Sequence, residues 1–179
     1  DDIAPILTLV KEVVNDDGGL NAPDEWTLLA NGVTDISGSG PVVSSGQDFR
    51  AGTYQLSESS TPTGYAASAW NCVGGSQTGL STVVLKAGED VTCTITNDDI
   101  SPVLKVVNTV TNDNGGTEID PNAFGLRVDG ALILHNVATP LAAGAHTLTA
   151  DGLPGYGRSL WGGDCAPNGD ISLGPGDVA

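Results

Sequence analysis

Polar and apolar residues alternate along several short stretches of the chain, which is the pattern of a β-strand with one buried face. Residues 7–13 alternate in this way and place Leu7, Leu9 and Val13 on one face. Lys11 falls on that same face. A lysine on the apolar side of a strand costs free energy unless a partner meets it. The pattern therefore predicts a strand whose lysine has a buried partner.

Two later strands each carry a polar residue in the same kind of position. Glu58 shares the face of Leu56, and Asn97 shares the face of Ile95. A lysine, a glutamate and an asparagine thus point where only apolar residues are expected. We expect Lys11, Glu58 and Asn97 to meet inside one domain.

These three residues are the ingredients of an isopeptide bond if they meet in an apolar core. Burial there favours the uncharged amine and the protonated acid. A neutral amine is a nucleophile, and a protonated acid can polarise the asparagine carbonyl and relay protons. The products are a Lys11–Asn97 isopeptide bond and ammonia, with Glu58 as the autocatalytic acid. The alternative is an ordinary buried ion pair of Lys11 and Glu58, with Asn97 capping the strand end.

The second half of the chain repeats the first. The repeat preserves strand residues, glycine-rich turns and aromatic residues in the same order. The matched segments are 3–7 with 100–104, 15–19 with 112–116, 26–28 with 124–126, 51–56 with 143–148, 64–65 with 155–156, and Trp70 and Cys72 with Trp161 and Cys165.

Two copies of one domain follow from the repeat, residues 1–99 and residues 100–179. Each copy contains about seven short strands separated by Gly, Pro, Asn and Ser turns, which favours an all-β, Greek-key β-sandwich. The second copy stops where its last strand would begin. We expect either a segment cut from a longer tandem array or a missing strand donated by a neighbouring chain, because an open sheet edge accepts strands.

The second copy lacks the reactive residues of the first. Asn108 stands in the position of Lys11, and Ala150 stands in the position of Glu58. A buried glutamate without its lysine would be a liability, so the joint loss fits a coupled unit. We therefore expect no isopeptide bond in the second copy.

The three cysteines follow the repeat. Cys72 and Cys93 lie in the first copy, whereas Cys165 of the second copy matches Cys72 and has no counterpart of Cys93. In a secreted chain this arrangement predicts a Cys72–Cys93 disulfide, with Cys165 either unpaired in this segment or paired with a cysteine beyond it. The alternative for the first copy is a pair of buried free thiols.

The strand-borne Lys11, the Tyr-x-Leu-x-Glu segment ending at Glu58, the later Gly64-Tyr65 and the final strand ending in Asn97 resemble the Cna-B-type, or prealbumin-like, domains of bacterial surface proteins and pilins. The resemblance spans both copies. It implies a stalk or fibre module, and in many members a self-forming isopeptide bond.

In the resembled fold the first and last strands run side by side, so two acidic clusters would meet at the joint between the domains. Asp16 and Asp17 follow the first strand, and Asp98 and Asp99 end the last. Carboxylate oxygens grouped in this way could bind calcium. The alternative is that these residues simply form good turns.

A net charge of −16 with only six basic residues argues against binding to nucleic acid or to an anionic membrane. No motif of an enzyme active site is present beyond the single self-directed reaction, so we expect no enzyme and no cofactor other than calcium. The interpretation is a structural module of an extracellular bacterial fibre, stalk or large repeat adhesin whose partners are neighbouring copies. The alternatives are a filament subunit that polymerises by donor-strand exchange and an adhesin domain that binds a host ligand or depends on calcium.

Overall fold

The protein is built from β-strands and turns, as seen in a computed structural model that describes residues 2–60 and 62–179. The chain divides into two compact units, Asp1–Ile100 and Ser101–Ala179. Within the described residues the only helical segments are two short 3-10 turns, Pro23–Glu25 and Pro121–Phe124. None of the described helices has the length and hydrophobicity needed to cross a membrane. The expected all-β class is confirmed.

The first unit has more strands than the seven expected, because several connections between its long strands pair as short strands of two to four residues. Its strands are β1 (Ile6–Val14), β2 (Thr27–Asn31), β3 (Ile36–Ser39), β4 (Val42–Ser44), β5 (Gly52–Glu58), β6 (Tyr65–Ala67), β7 (Asn71–Val73), β8 (Ser76–Gln77), β9 (Thr82–Leu85) and β10 (Asp90–Asp99).

Two five-stranded sheets face each other in this unit. One has the order β4-β1-β10, with β6 and β7 both paired to the far edge of β10, and the other has the order β3-β2-β5-β9-β8. The strands β1 and β10 run parallel, and all their other neighbours run antiparallel. The first and last strands of the domain are therefore adjacent.

The register of β1 and β10 brings the predicted polar residues together. Lys11 lies opposite Ile95, and Val13 lies opposite Asn97. Alternate residues of a strand share a face, so Lys11 and Asn97 are diagonal neighbours on the side that faces the second sheet.

Alternating apolar residues of both sheets fill the space between them. Leu7 and Leu9 of β1 and Leu28 of β2 are completely buried, as the period of two predicts. The other buried members of this core are Ala30, Phe49, Tyr54, Leu56, Trp70, Val83, Leu85, Val91, Cys93 and Ile95.

The second unit is a shorter version of the same arrangement. Its strands pair as β11 with β14 and, on the facing side, in the order β13-β12-β15-β16. They are β11 (Val103–Lys105), β12 (Leu126–Val128), β13 (Ala131–Leu132), β14 (Ala138–Pro140), β15 (Gly144–Ala150) and β16 (Asp170–Leu173).

Matching contacts show that the repeat in sequence is a repeat in structure. Leu28 pairs with Glu58 between β2 and β5, and Leu126 pairs with Ala150 between β12 and β15. Edge-to-face aromatic pairs recur with ring centroids 5.3 Å apart in both units, and these pairs are Trp26–Tyr65 and Phe124–Tyr156.

Among the described residues, the second unit differs from the first at the position of β10 and has no counterpart of the edge strand β8. Among the described residues its last strand is represented by Val178, which bridges in parallel to Val103. Residues 106–111, which correspond to the second half of β1, are not strand, and neither are residues 156–165, which correspond to β6 and β7. Each of these segments pairs with β10 in the first unit. In the second unit, these two segments therefore lack strand conformation where the first unit has β10 as their partner.

His146 occupies in the second unit the position that Tyr54 has in the first. The Tyr54 hydroxyl donates to the carbonyl of Arg50 at 2.6 Å, and His146 Nε2 lies 2.8 Å from the carbonyl of Ala142. In addition, His146 Nδ1 lies 2.7 Å from the carboxylate of Asp129. Only the doubly protonated ring can donate to both acceptors. The hydrogen bond to Asp129 accordingly raises the pKa of His146.

We expect the second unit to lose stability as pH rises. The folded-state pKa of His146 lies above the unfolded value of about 6.5, so the protonated ring stabilises fully below that pH and its contribution is lost as pH passes the folded-state pKa. A proton NMR titration of His146, together with urea unfolding across the same pH range, would measure both effects. The H146Y variant should remove this pH dependence. A ring that titrates at or below about pH 6.5 would contradict the assignment.

Candidate functional site

Lys11 is completely buried, although it carries an amine. Its side chain has 0% exposure, because β1 places it on the same face as Leu7 and Leu9. The backbone N–H of Lys11 donates to the carbonyl of Pro41, which fixes this part of β1 at the edge of the loop before β4. Gly40 lies so close that an added Cβ would meet the Lys11 Cβ at 2.9 Å, so the loop can cover the lysine only with glycine there.

Glu58 meets Lys11 from the facing sheet. It is the last residue of β5, and its Oε2 atom lies 3.0 Å from Lys11 Nζ. Its side chain retains 12% exposure, so the pair lies at the margin of the core. The separation is that of an ion pair, but the approach is not that of a good hydrogen bond, since neither Nζ nor Oε2 has a hydrogen-bond partner of acceptable geometry.

Asn97 completes the predicted group. It lies on β10 with 3% exposure, and its side-chain carbonyl oxygen Oδ1 is also without a hydrogen-bond partner. Buried polar atoms are normally hydrogen-bonded, so an unsatisfied group needs an explanation. Within the described residues, the buried side-chain atoms that lack a partner are Lys11 Nζ, Glu58 Oε2 and Asn97 Oδ1. They are the atoms of an amine, an acid and an amide carbonyl.

Burial lowers the pKa of Lys11, and the carboxyl group of Glu58 beside it opposes this shift without cancelling it. A larger fraction of the amine is therefore uncharged here than it would be in water at the same pH. A buried amine in contact with an acid, with a buried amide diagonal to it in the strand register, has the chemical groups needed for acyl transfer to a lysine.

Trp26 is a member of this site that the alternation pattern did not single out. It is 1% exposed, and the centroid of its ring lies 4.8 Å from Lys11 Nζ. A tryptophan face attracts a cation and also excludes water from it. Trp26 directly precedes β2, two residues before Leu28, and Leu28 pairs with Glu58.

The predicted disulfide is present. Cys72 of β7 and Cys93 of β10 are directly opposite each other, with 4.0 Å between their Cα atoms and a bond between their sulfur atoms. The alternative of two free thiols is therefore wrong. Cys165 is a free, half-buried thiol in the second unit.

Three of the four aspartates predicted as calcium ligands lie together. Asp16, Asp98 and Asp99 each offer an oxygen atom within 4.8 Å of the others. Asp17 does not join them with its carboxylate. Its backbone N–H instead donates to both oxygens of Asp99 at 3.0 and 3.1 Å, because the turn after β1 aims its amides at that carboxylate. Calcium binding by the remaining three stays a prediction.

Asp99 also ties the turn after β1 to the end of β10. Its carboxylate accepts a 2.5 Å hydrogen bond from the N–H of Gly19. Burial alone would raise the pKa of Asp99, but the backbone N–H groups of Asp17 and Gly19 bring it below its usual value. The neighbouring Asp98 is exposed, and its pKa is raised by desolvation and by the charges of Asp16 and Asp99.

The corresponding place in the second unit holds different residues. Asn108 replaces Lys11, and its side-chain amide donates to the carbonyl of Pro121 at 2.9 Å. Ala150 replaces Glu58 and pairs with Leu126. The described residues of the second unit therefore hold neither an amine nor an acid at this position.

Asp99→Ala should destabilise the first unit by about 2–4 kcal/mol, because it leaves the N–H groups of Asp17 and Gly19 without an acceptor. Asp98→Ala is the matched control, since it removes the adjacent exposed carboxylate, which is repelled by the charges of Asp16 and Asp99. Urea unfolding of both variants measures the difference. Equal effects would contradict the structural role assigned to Asp99.

Comparisons with known proteins agree with this geometry. The family model of the SpaA-type prealbumin-like fold domain matches residues 2–95 and, a second time, residues 99–174. A solved structure of the Bacillus anthracis TIE protein superposes on 99% of this chain with a TM-score of 0.55 and 12% sequence identity. This chain spans 33% of that protein's chain, and the likeness concerns the fold. No curated protein sequence matches the chain.

The two matched regions together cover almost the whole chain and coincide with its two units. The resemblance inferred from Lys11, Glu58, Tyr65 and Asn97 is thereby confirmed at the level of the family. The chain belongs to the SpaA-type prealbumin-like fold family and contributes one domain of that family in each half.

Proposed function

We propose that this chain is a load-bearing module of an extracellular bacterial fibre, stalk or large repeat adhesin, and that its first domain closes on itself by a Lys11–Asn97 isopeptide bond. Membership of the family supports the coarser part, a structural module of the pilin or adhesin type. The single observation that carries the finer part is the set of three buried, unsatisfied atoms, Lys11 Nζ, Glu58 Oε2 and Asn97 Oδ1.

The reaction needs no outside reagent. A proton moves from the Lys11 ammonium to the Glu58 carboxylate 3.0 Å away, which leaves a neutral amine beside a neutral acid. Glu58 then donates a hydrogen bond to Asn97 Oδ1, and the amine nitrogen attacks the side-chain carbonyl carbon. Protons shuttled by Glu58 convert the amide nitrogen to ammonia, which leaves. One amide bond breaks and one forms, so atoms and charge balance.

The first domain gains from this bond because β1 and β10 lie at its two ends in the chain. A cross-link that closes a loop of nearly the whole domain stabilises by about 4–5 kcal/mol in the chain-entropy model, against about 3 kcal/mol for the shorter loop closed by Cys72–Cys93. The bond forms once, within the chain itself, so the proposed role is structural and not enzymatic. Its partners would be neighbouring modules of the same fibre.

Intact mass spectrometry tests the isopeptide bond. The wild-type protein, after reduction of its disulfide, should lack the mass of one ammonia, and peptide mapping should join Lys11 to Asn97. Glu58→Gln should restore the full mass, because the acid that moves the protons is gone while the shape is kept. Lys86→Met removes an exposed lysine and should leave the deficit unchanged.

A full wild-type mass would leave Lys11 and Glu58 as an ion pair and refute the cross-link. A deficit that persists in Glu58→Gln would refute the role of Glu58 alone. The coarser function as a structural module rests on the family and does not depend on either result.

A further inference from the structure

Asparagine is followed directly by glycine at three places in the chain, Asn31-Gly32, Asn114-Gly115 and Asn168-Gly169. In such a pair the backbone nitrogen of the glycine can attack the side-chain amide carbon of the asparagine, because glycine has no side chain that obstructs the approach. The reaction needs a backbone N–H that is not held by a hydrogen bond, and room for the backbone to adopt the reactive geometry. The structure distinguishes the three pairs by these two requirements.

Neither requirement is met at Asn31-Gly32. Asn31 belongs to β2 and pairs with Gln55 of β5. The N–H of Gly32 donates to the carboxylate of Asp35 at 2.9 Å. A Cβ atom on Gly32 would lie 2.6 Å from the carbonyl oxygen of Thr53, so the backbone is tightly enclosed there.

Asn168-Gly169 is held in the same way. The N–H of Gly169 donates to the carbonyl of Ala166 at 2.8 Å, and a Cβ atom on this glycine would collide with the carbonyl oxygen of Leu148. The side chain of Asn168 is fixed as well. Its amide donates to the carboxylate of Asp170 at 2.6 Å, and its carbonyl oxygen accepts from the Asp170 N–H at 3.2 Å.

Asn114-Gly115 meets both requirements. Both residues are exposed, and the N–H of Gly115 has no hydrogen-bond acceptor among the described residues. A Cβ atom on Gly115 would have no neighbour within 4 Å, so the backbone has room to move. The amide of Asn114 donates to Asp113 at 3.0 Å, which is a contact between two exposed side chains.

The turn that carries this pair is held at its base. The side-chain amide of Asn112 donates to the carbonyl of Glu118 at 2.7 Å. The hydroxyl of Tyr156 donates to Asn112 Oδ1 at 2.7 Å and accepts from the N–H of Glu118 at 2.8 Å. Asn114 and Gly115 lie between these two fixed points, so the tip of the turn can change while its base stays in place.

The first unit shows that the free glycine N–H is a property of this turn. Asp17-Gly18 occupies the matching place, and the φ angles of Gly18 and Gly115 are 90° and 87°. In the first unit the carboxylate of Asp99, at the end of β10, binds the N–H of Asp17. Gly18 is nevertheless exposed, and its N–H has no acceptor within the described part of the chain.

We propose that Asn114 is a site of self-modification, at which the asparagine converts to aspartate and isoaspartate through a succinimide formed with Gly115. The nitrogen of Gly115 attacks Cγ of Asn114, the proton of that N–H passes through solvent to the amide nitrogen, and ammonia leaves. Water then opens the ring at either of its two carbonyl carbons. One amide and one water become one carboxylic acid and one ammonia, so atoms and electrons balance without an oxidant.

The modification would mark the age of the module. The aspartate product gives this turn the Asp-Gly-Gly sequence that the first unit has at residues 17–19. Both products add one negative charge next to Asp113, in a chain whose net charge is already −16. The second unit would thus become more acidic with time after folding. The inference does not depend on the isopeptide bond.

The test follows the full chain during incubation under mildly alkaline conditions, with peptide mapping by mass spectrometry. A synthetic peptide with the sequence of residues 110–119 gives the rate without the fold. We expect Asn114 to convert at a rate close to that of the peptide. Asn31 and Asn168 should convert roughly tenfold more slowly or less, because the hydrogen bond of the following glycine must break before the attack.

The two products have the same mass and are separated by chromatography. Asn114→Asp is the matched control and should release no ammonia at this position. Glu58→Gln, which blocks the proposed isopeptide bond, should leave the conversion of Asn114 unchanged. The mass also separates the two reactions, since the isopeptide bond loses ammonia without gaining water.

Three results would overturn the proposal. The first is an Asn114 that stays intact while the peptide converts. The second is conversion of Asn31 or Asn168 as fast as that of Asn114. The third is aspartate as the single product, because direct hydrolysis of the amide gives no isoaspartate and would exclude the succinimide.

Discussion

The parallel pairing of β1 with β10 is the interaction on which the rest of the first domain depends. It closes the sandwich between residues from opposite ends of the domain, and in doing so it places Lys11 beside Asn97. The same pairing brings Asp99 to the amides of the turn after β1. The candidate site and the acidic cluster are therefore consequences of one strand register, whereas the disulfide follows from the pairing of the other edge of β10 with β7, which sets Cys93 opposite Cys72.

The second unit builds the same two-layer arrangement from the same kind of alternation. Leu104, Val106 and Leu148 are buried much as Leu7, Leu9 and Leu56 are. Apolar alternation therefore recurs as the source of the core, whereas the regularity of an individual strand also depends on a partner for its backbone hydrogen bonds.

Much of this arrangement could be predicted from the sequence, and the reasons are specific. The period of two placed Lys11, Glu58 and Asn97 on inward faces, and the repeat gave the partner of Cys72. The roles of Trp26 and Asp17 could not be obtained in this way. Trp26 approaches Lys11 from another strand, and Asp17 acts through its backbone N–H, so neither role is encoded in the local pattern of polar and apolar residues.

The parallel direction of β1 and β10 has a mechanical consequence. The chain enters β1 at Ile6 and leaves β10 at Asp99, and because Ile6 lies opposite Asp90 these two points are at opposite ends of the strand pair. A pull on the two ends of the domain therefore acts along the strands and slides one past the other. In this shear geometry all the hydrogen bonds between the strands share the load at once, whereas an antiparallel pair joined at one end would open one bond at a time.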